Sequence, residues 1–144
     1  MLGVVASLLA TTAAAASPVG IWTTIDDTSH KPRALVEISE VDGTLSGRIV
    51  RLFVDPGEDP DPRCEKCPGP RHDQRVTGMQ ILSNLHRKDD AWTGGEILDP
   101  ESGGVYRVTI RLSDDGARLA VRGYIGISLL GRTQVWERAE QPGS

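Results

Sequence analysis

The chain has two cysteines, Cys64 and Cys67, set as C-x-x-C inside an irregular stretch at residues 55–71, DPGEDPDPRCEKCPGPR. Two sulfurs at this spacing support four chemistries: a disulfide, half of a tetrahedral zinc site, thiol–disulfide exchange, or a pair of free thiols. A closed zinc site needs two more ligands; His72 is the nearest candidate, and no second C-x-x-C exists. Exchange-active pairs usually open a helix after a strand, whereas Cys67 runs into Pro68-Gly69-Pro70. An oxidising compartment would favour the disulfide. So small a ring is worth about 2 kcal/mol in the chain-entropy model, and stiffens the loop more than the fold.

Other reactive side chains are scattered. His30, His72 and His86 pair with no nucleophile and show no ligand spacing. Asp26-Asp27, Asp89-Asp90 and Asp114-Asp115 sit where turn formers belong. No carboxylate pair is poised for acid–base work, and there is no nucleophile motif, phosphate loop or dinucleotide fingerprint. Two segments instead suggest binding: Gly20-Ile21-Trp22 near the front, and GRTQVWER at residues 131–138. In the second, Arg132, Gln134, Trp136 and Arg138 share one face of a strand. If Trp136 faces inward, Gln134 places an amide in an apolar interior. The alternative is that Gln134 and Arg132 only satisfy buried backbone groups.

The elements that carry these residues repeat with period two. At residues 105–112, Tyr106, Val108, Ile110 and Leu112 alternate with Val105, Arg107, Thr109 and Arg111, which is a half-buried strand. Leu119, Val121, Gly123 and Ile125 form the inward set of the next run. The five residues 113–117, SDDGA, make the tight turn between them. Further strands are expected at 20–25, 33–40, 44–53, 75–86, 91–98 and 131–138, giving eight joined mainly by short turns. That rhythm suggests an antiparallel sandwich or barrel. Residues 127–130 could form a helical turn or a bulged corner. The long connection at 55–71 could be a covering flap, a binding lid, or both. In an even-stranded barrel the last strand ends beside the start of the first, which would stack Arg138 on Trp22.

Length and composition agree. At 144 residues the chain fits one domain, large enough to bury a core without metal or disulfide support. A formal charge of −4 argues against nucleic acid as the main partner. Sixteen Gly and nine Pro suit many turns and few helices. Residues 1–16 carry no charge and run from an apolar stretch into Ala13-Ala14-Ala15-Ala16-Ser17, the layout of a secretory signal peptide without its basic opening residues. The apolar run is too short for a membrane span, which needs about 20 residues, so no stable membrane anchor is expected. Export would make the compartment periplasmic or extracellular.

From Ser17 to Arg138 the chain resembles a bacterial family of exported proteins known as domain of unknown function 2147. The resemblance rests on SPVGIWTTIDD, GRIVRLF, DPGEDPDPRCEKCPG, DPESGGVYRV and GYIGISLLGRTQVWER, occurring in that order. It implies a lipocalin-like barrel, a periplasmic or secreted location, and no assigned enzyme activity. Gly20-Ile21-Trp22 with a C-terminal Arg is also similar to the wider lipocalin and fatty-acid-binding group.

The resulting expectation is an all-β, closed, antiparallel up-and-down barrel of about eight strands over residues 17–144, after a signal peptide at 1–16. It would bind a small apolar or amphipathic molecule without a cofactor, and not act as an enzyme. The expected interior contains Tyr106, Val108, Ile110, Leu119, Val121, Ile125 and Trp136, with Gln134 as the polar contact. Gly47, Gly94 and Gly123 would leave room or mark bends. The rivals are an envelope interaction protein with a filled barrel, and a metal or redox protein built on Cys64 and Cys67.

Overall fold

The computed structural model describes residues 3–7, 16–125 and 131–139. Its strands are β1 (Gly20–Ile25), β2 (Pro32–Val41), β3 (Thr44–Leu52), β4 (Gln80–Lys88), β5 (Ala91–Leu98), β6 (Val105–Leu112), β7 (Arg118–Tyr124) and β8 (Arg132–Arg138). Each pairs antiparallel with the next, and β8 returns to β1, closing an up-and-down barrel. The one helical element among the described residues is a single 3-10 turn at Gly69–Arg71. The expected corner at 127–130 and most of the expected signal peptide lie outside the described residues.

Alternation makes the inside. On β2, Ala34, Val36 and Ile38 are buried; on β6, Val108 and Ile110; on β7, Leu119 and Val121. The β2–β3 hairpin turns on Asp42-Gly43, both at positive φ (51° and 76°), the combination whose twist suits a two-residue turn.

Two bulges lie side by side in β4 and β5. Asn84 in β4 has φ 58° and Gly94 in β5 has φ 77°. β4 carries two extra residues relative to β3, with register shifts on both sides of the Gly47↔Leu82 pair, and β5 carries one relative to β6. Between themselves β4 and β5 keep one register, from Leu82↔Ile97 to Lys88↔Ala91. Gly95 beside the bulge must lack a side chain, because a Cβ there would strike the Ser83 carbonyl and the Leu85 side chain.

The expected strand over 75–86 is corrected at its start: β4 begins at Gln80. Residues 75–79 are the return leg of the long connection, with an Arg63↔Arg75 bridge and a Val76 N–H bond to the Pro62 carbonyl. Val76 and Met79 are buried from that loop, although a separation of three would put them on opposite faces of a strand.

One end of the barrel is sealed. Trp22 is fully buried, and its indole N–H donates to the Pro18 carbonyl at 2.7 Å. The Arg138 guanidinium lies 4.3 Å from the centre of the Trp22 ring, as expected from position. It donates to three carbonyls: Gly116 at 2.8 Å, Val19 at 3.0 Å and Ser17 at 2.7 Å. Gly20 leaves the space it needs; a Cβ there would sit 2.7 Å from Arg138 Nη1. The β1–β8 ladder holds two residue pairs, Trp22↔Arg138 and Thr23↔Glu137, against six for β1–β2. The Arg138 side chain thus supplies much of what the short ladder lacks.

Arg138→Ala should lower stability by about 2 kcal/mol or more, since a desolvated cation–π contact is lost and carbonyl acceptors are stranded. On a domain of this size that is a fall of roughly 5–10 °C in the thermal midpoint. Arg138→Lys should recover only part of it. Arg118→Ala, at an exposed position, should leave the midpoint unchanged. Circular dichroism melts of the three variants check this.

Candidate functional site

The opposite end is open. A cavity of about 1340 Å³ runs from the mouth to a floor made by Val36, Ile49, Ile81, Val121 and Trp136. Thr24, Ala34, Ile97, Tyr106 and Gln134 stand on its walls. Below the floor the barrel is filled: Trp22, Leu45, Leu82, Leu85, Val108, Ile110 and Leu119 are fully buried, and none borders the cavity. Gly47 admits this filling, with its Cβ position 3.0 Å from a Leu82 methyl and 3.3 Å from Val36.

The expected interior set therefore divides. Val121, Trp136, Gln134 and Tyr106 border the cavity. Val108, Ile110 and Leu119 face inward but belong to the filled layer beneath it. Ile125 is corrected: β7 ends at Tyr124, and Ile125 lies on the rim at 69% exposure. Gly123 borders the cavity, as a position expected to leave room would, whereas Gly94 marks the β5 bulge.

A polar chain descends one wall. The Trp136 indole N–H donates to Gln134 Oε1 at 3.4 Å, and Gln134 Nε2 donates to Asp27 Oδ2 at 3.3 Å. Arg132 reaches the same Asp27 oxygen at 3.2 Å. The Gln134 amide thus serves side chains of β8 and of the β1–β2 loop, not buried backbone groups. Alternation puts Gln134 and Trp136 on one face, which is why an (i, i+2) pair can bond.

An ion pair joins opposite sides of the mouth. Arg33, at the start of β2, bonds Glu101 in the β5–β6 loop at 2.6 Å. That bond holds the Arg33 proton more firmly than usual. The pair links residues 68 apart in sequence, and periodicity carries no signal for it; the quoted loop DPESGG is its only trace. Beside it, Asp26 accepts from Ser29 and Thr28 within its own turn, and these bonds, the Ser29 backbone first, pull its pKa below the ordinary carboxylate range.

The long connection forms the remaining wall. Cys64 and Cys67 are bonded to each other and buried with the core. Cys64 Sγ lies 3.3 Å from the Pro100 carbonyl, and a Cβ on Gly103 would overlap the Lys66 carbonyl. The flap is thus docked on the β5–β6 loop through its disulfide. The bonded sulfurs offer no thiolate to a metal. Among the described residues no three metal-capable side chains converge, and no helix is long and apolar enough to cross a membrane.

The profile of a bacterial family, described as uncharacterized protein conserved in bacteria (DUF2147), matches residues 20–138. Among solved structures, the Helicobacter pylori protein HP1028, described as belonging to the lipocalin family, is similar in fold. Its TM-score is 0.73 at 22% identity, over 86% of this chain and 84% of that one. No curated protein matches the sequence.

Replacing Cys64 and Cys67 with Ser should leave the barrel folded while amide exchange rises across residues 55–79 and 99–104. The core alone suffices at this size, and the ring contributes about 2 kcal/mol. Hydrogen exchange read by mass spectrometry checks this; equal acceleration in the β6 and β7 strands would contradict it.

Proposed function

The chain belongs to the DUF2147 family of bacterial proteins, and on that footing we propose that it is an exported protein that holds a small, partly apolar molecule in the open half of its barrel. One observation carries the reading: the lipocalin-like barrel is sealed and filled at one end and hollow at the other. Apolar side chains make the floor, as in a small-molecule site, beneath a mouth rich in charged groups. The similar fold described as a lipocalin is compatible with this use. The filled lower half is the point in favour of the rival, a barrel that serves only as a scaffold for its loops.

Substitution separates the two. Val121 borders the cavity, whereas Val108 does not. Val121→Phe should grow into open space, leave stability nearly unchanged, and abolish binding of a neutral apolar fluorophore such as N-phenyl-1-naphthylamine. Val108→Phe should instead cost the ~1–3 kcal/mol of overpacking. Absence of saturable probe binding by the unmodified protein would favour the scaffold reading.

Export is part of the proposal. Contacts at the sealed end begin near the expected cleavage point: the Ser17 carbonyl accepts from Arg138, and the Pro18 carbonyl from Trp22. Removal of residues 1–16 would keep both. Intact mass of the protein from its native compartment should correspond to a chain starting at Ser17; a membrane-bound chain starting at Met1 would overturn this part.

A further inference from the structure

Resting on the reading just given, we infer that the barrel selects a compact apolar ligand whose polar end is neutral or cationic, and rejects acids. Two independent observations carry this, one of depth and one of charge.

Depth sets the size. The floor formed by Val36, Ile49, Val121 and Trp136 stops the cavity part-way down, and the filled layer beneath it leaves no channel to the sealed end. A long acyl chain lying along the axis would meet that floor with the rest of its length still in the mouth. A body of one or two fused rings can be buried against Trp136 and Tyr106.

Charge sets the sign. Seven carboxylates and four cations surround the cavity. Three of the cations are already engaged: Arg33 by Glu101, Arg132 by Asp27, and Arg63 by the Asp73 carbonyl at 3.0 Å. An anionic head group could claim Arg33 only by displacing Glu101, which would free another carboxylate into a mouth with an acidic excess. Among the described residues no cation is bonded to Glu58, Asp59 or Glu65 of the flap, all bordering the same mouth. At physiological salt, charges still act over about 8 Å, so these groups bias what is held at the mouth.

The test uses one apolar body with three polar ends: 1-naphthylmethylamine, 1-naphthalenemethanol and 1-naphthoate. Each is titrated by calorimetry into the oxidised protein spanning residues 17–144, at low and high salt. The amine and the alcohol should bind, and naphthoate should bind about tenfold or more weaker than the amine at low salt, the gap shrinking as salt screens it. Glu58→Gln with Asp59→Asn and Glu65→Gln should narrow that gap several-fold, with the alcohol reporting whether the cavity stays intact. Naphthoate binding as well as the amine, or better, would overturn the inference and leave the cavity reading standing. Failure of all three to bind would overturn the cavity reading and this inference with it.

Discussion

Closure of the barrel rests on a short ladder and on the side chain that braces it. A sheet of eight antiparallel strands can close only if the first and last find each other, and here their ladder is two residue pairs long. Arg138 makes up the deficit. It spreads over the Trp22 ring and ties Ser17, Val19 and Gly116 together through their carbonyls, so β1, β8, the β6–β7 turn and the segment before β1 meet at one guanidinium. A planar fork of five donors suits that task, where an ammonium could not reach all three acceptors in their separate directions. Everything above relies on this seal: with the bottom fixed, the strands can diverge towards the mouth without the sheet opening.

The interior then grades from solid to hollow. Large aliphatic and indole side chains fill the lower layer, with Gly47 and Gly95 making room for their neighbours' bulk. Higher up, inward positions fall to Thr24, Ala34, Gly123 and Gln134, which are small or polar and do not meet across the axis. Rigidity and vacancy are therefore properties of one barrel at different heights. The flap adds the last wall, held by a disulfide that is itself part of the core.

Much of this was legible in the sequence because period two reports directly on which way a side chain points. The strand set, the all-β class and the meeting of Trp22 with Arg138 follow from alternation and chain order alone. Depth does not. Val108 and Val121 alternate identically, yet one lies in the filled layer and the other beside the cavity, since depth depends on strand tilt and on bulges that shift register. Ile125 continues the inward phase of β7 but comes after its last residue. Val76 and Met79 are buried by a returning loop, not by a strand. The Arg33–Glu101 pair joins distant segments that only the closed barrel brings together. The disulfide could be favoured among four chemistries, but its docking against Pro100 and Gly103 is a tertiary fact.

The neighbouring bulges at Asn84 and Gly94 constrain how this barrel can change its length. The β4 arm has two residues more than β3 opposite it and the β5 arm one more than β6, while the arms match each other. Loss of one residue from a single arm would remove one outer bulge and misalign the hairpin itself, and a slip of one reverses every side chain beyond it. Insertions and deletions in this part of the barrel are therefore tolerable chiefly in pairs, one per arm. Related barrels that diverge here should differ by coordinated steps in strand length, a bookkeeping of residue number that no single-site comparison would reveal.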